Sequence, residues 1–454
     1  MNVIMKFGGT SVADADAMRR VIDIVRNRLE AHPDARPPVV VVSAMSKVTD
    51  RLVEVGRLTG EGRGDEASRL LAELLQRHVG VASGLVPDSE LADVTERLER
   101  EFGDLTAMVR TLASTREVSP RSTDAIMAMG ELASSHMVAA AFRAQGVPAV
   151  WVDARRVLVT DDEFTAAVPD MNATCRKVAE IVAPEVAAGR VPVMGGFIGS
   201  TPDGVTTTLG RGGSDYSAAI FGSCLGVGEI QIWTDVDGML TADPRVVPEP
   251  RLVPRLSFNE ASELAYFGAK VLHPSTILPA VDRNIPVRIL NSRRPEVTGT
   301  LITADADPDS GSVTALACKR GVTVVDITST RMLMAHGFLR RLFEVFERFR
   351  TPVDVVTTSE VSVSVTVDNP KRLGDVMDNL RRFADVGTEA DMAIVCIVGE
   401  RLQSDPTLFA RAVASLGGLP LRLVSQAASR RNITFVMRDG DVTDAMTRLH
   451  KALF

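Results

Sequence analysis

The sequence predicts an α/β protein: a large part built on a mainly parallel sheet, followed by two small modules related to each other. Three observations carry that expectation. Over residues 1–295 short apolar runs alternate with longer amphipathic stretches. At 304–312 the segment "ADADPDSGS" is acidic, contains Gly and Pro, and has no apolar pattern. Beyond it the chain repeats itself over roughly seventy residues.

The strand candidates of the first part are "VIMKF", "PVVVVSA", "AVWVD", "VPVMGGF", "EIQIWTD" and "PVRIL". They are rich in Val and Ile, apolar on both faces, and end in Gly, Ser or Asp. Between them lie helical patterns such as "AMRRVIDIVRNRL", "ASRLLAELLQRHV", "AIMAMGELASSHMVAAAF" and "SDYSAAIFGSCLG". Strands of that kind separated by helices require a sheet covered on both faces. Ligands are then expected beyond the carboxyl ends of the strands. The stretch 60–118 is charged and helix-forming, and is expected to be a helical insertion serving as a lid.

In the repeat, "VTVVDIT…FLRRLFEVFERFRTPVDVVTTSEVSVSVTVD" is echoed by "MAIVCIV…LFARAVASLGGLPLRLVSQAASRRNITFVMRD", and "SVTALACKR" supplies one more strand ahead of the first copy. Each copy reads as a ferredoxin-like βαββαβ unit.

Composition narrows the function. The 454 residues, 45% hydrophobic and 24% charged, describe an ordinary globular chain with room for two or three domains. No run of eighteen uncharged apolar residues occurs and the N-terminus has no signal-peptide pattern, so neither a membrane partner nor secretion is expected. The four cysteines form no CxxC pair, which argues against a disulfide framework and a zinc site and suits a reducing cytoplasm. A net charge of −7 without a basic stripe argues against nucleic acid. Small molecules remain.

Five segments could handle them. "MKFGGTSVAD" (5–14) is a glycine-rich turn behind a strand, but its lysine, Lys6, precedes the glycines, unlike a Walker loop. "TTTLGRGGSDYSAA" (206–219) places Gly-Arg-Gly-Gly before a helix starting near Ser214, so backbone donors and the positive helix end face one place. Arg211 adds a bidentate fork, while Asp215 is either functional or a helix-dipole residue. In "IWTDVDGMLTADPR" (232–245) turn chemistry alone accounts for Asp237-Gly238 and Asp243-Pro244. "YFGAKVLHP" (266–274) carries Lys270 in a helix. In "MGELASSHM" (129–137) Glu131 sits among small and apolar residues, either paired in the core or aimed into a cleft.

Together, "KFGGTSV", "TTTLGRGGSDY", the "WTDV.G…T.DPR" pattern and "FGAKVLHP" resemble the aspartate kinases of the amino-acid kinase family, in order and over essentially the whole length. "HGFL" and "VDVVTTSEVSVSVT" resemble the monofunctional, lysine-sensitive branch. The resemblance implies a three-layer αβα amino-acid kinase fold with a mainly parallel central sheet, plus two ferredoxin-like ACT modules. It implies a catalytic domain at 1–303, a linker at 304–311, a first ACT module inserted at 321–388, and a second made of 312–320 and 389–454. No fused homoserine dehydrogenase is expected.

The resemblance also implies roles. Lys6 would stabilise charge as the γ-phosphoryl of ATP passes to the β-carboxylate of L-aspartate, with Asp215 organising the active-site lysines. Gly8 and Gly9 would let backbone approach phosphate, with Thr10 and Ser11 offering hydroxyls. Arg211 would clamp the substrate α-carboxylate, Glu131 its α-amine, and Thr49 and Ser214 would touch the substrate. Thr234, Asp235, Leu240, Arg245 and Lys270 match nucleotide-binding positions, Leu240 standing where the family often has tyrosine. Mg2+ would bridge ATP oxygens. L-Lysine would inhibit at the first ACT module through Met332, Gly337, Phe338, Leu339, Val353, Asp354, Ser359 and Glu360. A homodimer through the ACT modules is expected, with a tetramer as the alternative. Aligning the copies puts Arg422 opposite Asp354 and Ala428 opposite Glu360, so only the first copy can receive an amine. Two other readings remain: another amino-acid kinase acting on a carboxylate or carbamate, and an amino-acid sensor with an inactive kinase domain. The first would need no tandem ACT region, and the second would show damage at Lys6, Asp215 or Arg211.

Overall fold

In the computed structural model, residues 2–268, 274–305, 312–329, 336–400, 402–426 and 430–454 are described. The elements begin with β1 (Val3–Phe7), α1 (Ala15–Ala31), β2 (Val39–Val42), α2 (Val48–Gly60), α3 (Gly64–Ser83), α4 (Asp88–Thr115), α5 (Pro120–Ala144) and β3 (Ala149–Trp151). There follow α6 (Met171–Lys177), α7 (Ala183–Ala187), β4 (Val191–Gly195), β5 (Ile198–Ser200), β6 (Thr206–Thr208), α8 (Gly213–Leu225), β7 (Glu229–Thr234), β8 (Arg255–Ser257) and α9 (Phe258–Tyr266). Then come α10 (Leu278–Val281), β9 (Val287–Asn291), β10 (Thr300–Thr303), β11 (Ala315–Thr328), α11 (Phe338–Arg348), β12 (Val356–Thr358), β13 (Ser362–Val367) and α12 (Leu373–Leu380). The chain closes with β14 (Asp385–Val398), α13 (Pro406–Ser415), β15 (Leu423–Gln426), β16 (Asn432–Arg438) and α14 (Val442–Leu453).

Packing divides the chain into one unit of Met1–Met239 with Val271–Asp305 and another of Leu240–Lys270 with Ala306–Phe454. In the first, the strand order β3-β4-β2-β1-β7-β9-β10 is parallel except for β10 against β9. Every residue of β1 and β2 is buried, which is why those runs read as continuously apolar rather than alternating. Each such fully buried Val or Ile contributes about 1.5–3 kcal/mol. The expected lid at 60–118 is the antiparallel helices α3 and α4, whose Leu71, Leu74, Leu98 and Phe102 belong to the same core as β1 and β2. It is part of the body, not a flap over it.

In the second unit one antiparallel sheet runs β12-β13-β11-β14-β16-β15. Helices α11 and α12 cover one half through Leu342, Phe346, Val376 and Leu380, while α13 and α14 cover the other through Leu408, Ala412, Met446 and Leu449. The strand expected from "SVTALACKR" and the one from "VTVVDIT" are a single strand, β11, with register shifts against β14 around Val322. The expected module boundary at 320/321 therefore falls inside a strand.

The segment Leu240–Lys270, expected with the catalytic part, packs in this second unit. Its Glu260 is buried, completes a capping box with Ser257 at the start of α9, and accepts from Thr314 Oγ1. Its Glu263 accepts from Asn432 Nδ2 at 2.8 Å. Such long-range polar ties leave no local sequence signal. Neither does the disulfide between Cys175 and Cys224, which corrects the expectation of unpaired cysteines. Packing of α6 against α8 brings together two cysteines 49 residues apart; Cys318 and Cys396 are free.

Candidate active site

The register of the parallel sheet aligns Lys6 with Val41 of β2 and Ile232 of β7, so the turns that follow these strands open on the same edge. There a cleft of about 570 Å³ is lined by Lys6, Gly9, Thr49, Asp124, Glu131, Arg211, Ser214 and Asp215, among others. The residues expected at the catalytic centre and around the amino-acid substrate, drawn from β1, α2, α5 and the β6–α8 turn, thus meet in one place.

Lys6 is only 8% exposed, and its Nζ lies 2.5 Å from Asp215 Oδ1 in the first turn of α8. The N-cap of α8 is Gly212, at φ +72°, a conformation that costs glycine nothing but would strain other residues. It brings no side chain to cap the helix, so the positive helix end faces the cleft uncapped. Arg211 beside it is exposed and, among the described residues, makes no ion pair.

Glu131 is the opposite case. It is 4% exposed and its Oε2 has no hydrogen-bond partner. Burial pushes its carboxyl up to about pH 8, against the opposing pull of the Ala44 and Glu131 backbone N–H groups and of Lys6. A buried carboxyl with one oxygen unpartnered would be drawn to its ionised form by a cation arriving beside it.

Asp124, which the sequence motifs do not single out, lies seven residues before Glu131 on α5 and so on the same face of the helix. It is fully buried and accepts from Thr208 N at 3.0 Å, Thr208 Oγ1 at 2.6 Å and Thr165 N. It thereby fixes the strand that leads into Gly210-Arg211. The two-turn spacing from Glu131 is the signal that could have found it.

The glycine turn behaves differently from expectation. Gly8 N–H donates to the Trp233 carbonyl at 3.0 Å, so it is engaged within the fold. At Gly9 a Cβ would come within 2.9 Å of the Ala44 carbonyl; the bare backbone there lets the turns after β1 and β2 touch. Ser11, expected to offer its hydroxyl to phosphate, is buried and hydrogen-bonds Ser292 Oγ at 2.8 Å. Neither Thr10 nor Ser11 lines the cleft.

Of the expected nucleotide positions, Thr234 ends β7, and its hydroxyl donates to the exposed Asp235 at 3.3 Å. In the second unit Leu240 bridges to Leu252, and Arg245, 80% exposed in its side chain, pairs with Asp243 at 2.6 Å. Lys270 lies outside the described residues. No cluster of three metal-ligating side chains occurs among the described residues.

At the expected effector positions, Gly337 is the N-cap of α11 at φ +83°, without a side-chain cap, followed by Phe338 against Phe383 and by the exposed Leu339. Ser359 and Glu360 lie in the turn between β12 and β13, Ser359 bonded to Ser362 and Glu360 exposed. Val353 packs on the core beneath. Met332 lies outside the described residues. Asp354 holds the surprise: its side chain is 4% exposed, and its Oδ1 accepts from Lys319 Nζ at 2.7 Å and from Tyr266 OH at 2.9 Å. Lys319 also reaches Asp368 at 2.8 Å. The carboxylate expected to bind an effector amine is occupied by an amine of its own chain.

Comparison with known proteins sets this geometry in context. The model of the amino acid kinase family matches residues 1–291, and that of the ACT domain residues 395–453. The lysine-sensitive aspartokinase 3 of Escherichia coli (strain K12) is 36% identical over 460 residues, 100% of this chain and 99% of its own. The chloroplastic aspartokinase 1 of Arabidopsis thaliana is 36% identical over 468 residues, 99% of this chain and 80% of its own. Solved E. coli aspartokinase III, in complex with aspartate and ADP (R-state), matches with a TM-score of 0.84 at 34% identity over 100% of both chains. Its complex with lysine and aspartate (T-state) gives 0.82 at 34% identity, over 100% of this chain and 99% of that one.

Proposed function

The chain belongs to the aspartokinases of the amino acid kinase family, and on that premise we infer that it transfers the γ-phosphoryl of ATP to the β-carboxylate of L-aspartate. The product, 4-phospho-L-aspartate, opens the biosynthesis of lysine, threonine and methionine. The observation that carries this reading is the pairing, in one cleft, of a buried lysine held by Asp215 with a buried carboxylate, Glu131, that has an oxygen without a partner.

Phosphoryl transfer asks for positioning and charge. The β-carboxylate of aspartate is already ionised at neutral pH, so no general base is required. Glu131 receives the α-ammonium, which offsets its burial and draws it to the ionised form. Arg211 takes the α-carboxylate in bidentate fashion, and Thr49 and Ser214 complete the substrate wall. Lys6, oriented by Asp215, meets the charge that moves onto the transferring oxygens. Thr234, Asp235, Leu240, Arg245 and Lys270 serve the nucleotide. Mg2+ would enter as part of the ATP substrate.

Lysine inhibits through the module around Asp354, and the protein works as a homodimer through its ACT modules in the cytoplasm. The domain limits proposed are 1–303 for catalysis, with Leu240–Lys270 packing in the second unit, and 321–388 for the effector module, which shares β11 with the second module. An ATP- and aspartate-dependent hydroxamate assay tests the reading: product should require both substrates and fall with added lysine. Full activity with another carboxylate or with carbamate, and none with aspartate, would overturn it.

A further inference from the structure

The two turns beside the cleft, β1 to α1 and β2 to α2, each lead into a helix, and the start of α2 lines the cleft through Thr49 and Asp50. Ser46 N donates to the Gly9 carbonyl at 3.0 Å, so the turns touch directly. The second is conformationally costly: Lys47, the N-cap of α2, stands at φ +66° with no side-chain cap. A left-handed conformation at a residue with a Cβ persists only where its surroundings hold it.

Arg77, from α3, supplies that hold. Its Nη1 donates to the Ser46 carbonyl at 2.8 Å and its Nη2 to the Ala13 carbonyl at 3.0 Å. The first oxygen belongs to the peptide leading into Lys47; the second belongs to the peptide before Asp14, the N-cap of α1. One half-buried guanidinium thus spans both turns. Among the described residues it has no carboxylate within ion-pair distance, so its charge is not spent on a salt bridge. A planar fork can satisfy two separated carbonyls at fixed angles, whereas an ammonium is a point donor.

We propose that Arg77 is a positioning residue for phosphoryl transfer: it clamps the Gly8–Ala13 and Ser43–Thr49 turns together so that Lys6 and Thr49 meet the substrate in register. This rests on the reading of the cleft as the aspartate site. It also gives the helical insertion a purpose, since α3 acts as a strut behind the site.

The test compares Arg77→Lys and Arg77→Ala with the wild-type enzyme by steady-state kinetics and by amide hydrogen exchange. Arg77→Ala should lower kcat/KM for aspartate by about 10²-fold, the size expected for a misplacement of about 1 Å. Arg77→Lys should lie between it and wild type, and guanidinium or methylguanidinium ion at millimolar concentration should restore part of the activity of Arg77→Ala. Exchange should quicken in peptides covering 8–13 and 43–49 while the strands β4 and β9 keep wild-type protection. Unchanged kinetic constants, or exchange that rises uniformly across the unit without guanidinium rescue, would overturn the proposal. The exchange readout needs no substrate, so an enzyme inactive with aspartate would defeat the functional reading and leave the clamp testable.

Discussion

Two buried carboxylates in this chain are candidates for receiving amines, and the molecule treats them in opposite ways. Glu131, in the first unit, has an oxygen without any partner and a carboxyl pushed up to about pH 8 by burial. Asp354, in the second, also has a buried oxygen without a partner, Oδ2, but its Oδ1 is served by Lys319 and Tyr266. The difference is between a carboxyl without an ion pair among the described residues and one with an ammonium already in place. An open buried carboxylate destabilises the empty protein and so rewards the arrival of a cation. A filled one is stable alone, and an incoming cation must first displace the incumbent. The second half of the antiparallel sheet reverses the signs: Arg422, whose N–H donates to Val436 as Asp354 donates to Thr366, is paired with Asp326 and Glu389.

The sharpest way to break this comparison is to neutralise the open carboxylate. Removing one partner of a buried ion pair costs about 3–5 kcal/mol, so Glu131→Gln should raise the KM for aspartate by roughly 10²–10⁴-fold and leave the KM for ATP nearly unchanged. A rise below threefold in initial-rate measurements would show that the substrate amine goes elsewhere.

The pH dependence of stability follows from the same group. Below about pH 4.5 the carboxyl is protonated folded and unfolded alike; between there and pH 8 only the folded state keeps the proton. The folded state then binds more protons, so stability falls as pH rises through this window and levels off above it. The total should be a few kcal/mol, because raising a pKa by one corresponds to about 1.4 kcal/mol. Thermal melts without ligand from pH 5 to 9 should show wild type losing ground to Glu131→Gln; parallel curves would remove the basis for an open receptor.

At the filled site, Lys319→Met vacates Asp354. Lysine should then inhibit at about tenfold lower concentration and raise the melting temperature more than it does in wild type. Equal or weaker lysine sensitivity would mean that Lys319 and the effector do not compete. The smallest effect is expected from Tyr266→Phe, which removes one hydrogen bond to Asp354 and leaves the Lys319 ion pair in place. A change of two- to fivefold in the lysine response, with kcat unaltered, is the expected result from inhibition curves.

What could be read from the sequence followed from chemistry carried by short stretches. The parallel sheet shows itself in fully apolar strands, and Lys6, Glu131, Arg211 and Asp215 stand out because glycines, helix starts or apolar surroundings flag them. What escapes is long-range. Nothing in "LLQRHV" reveals that Arg77 reaches two turns 31 and 64 residues away. Nothing in "ALACKR" reveals that its lysine crosses to Asp354 and Asp368, because strand pairing, not spacing, brings β11 beside them. Ser11 misleads for the same reason: its motif says hydroxyl, and only the packing of β7 and the turn after β9 says which way it points.

If lysine binds at Asp354 as proposed, the ammonium of Lys319 resting there bears on how the threshold of inhibition is set. An effector that must evict an internal stand-in binds with its intrinsic affinity multiplied by the fraction of time the seat is vacant. The set point of inhibition is then adjustable from the far side of Lys319, at Asp368, which grips the same ammonium at 2.8 Å. On that proposal, strengthening or loosening the grip of Asp368 would shift the lysine concentration at which inhibition sets in. None of the residues that touch the effector itself would have to change.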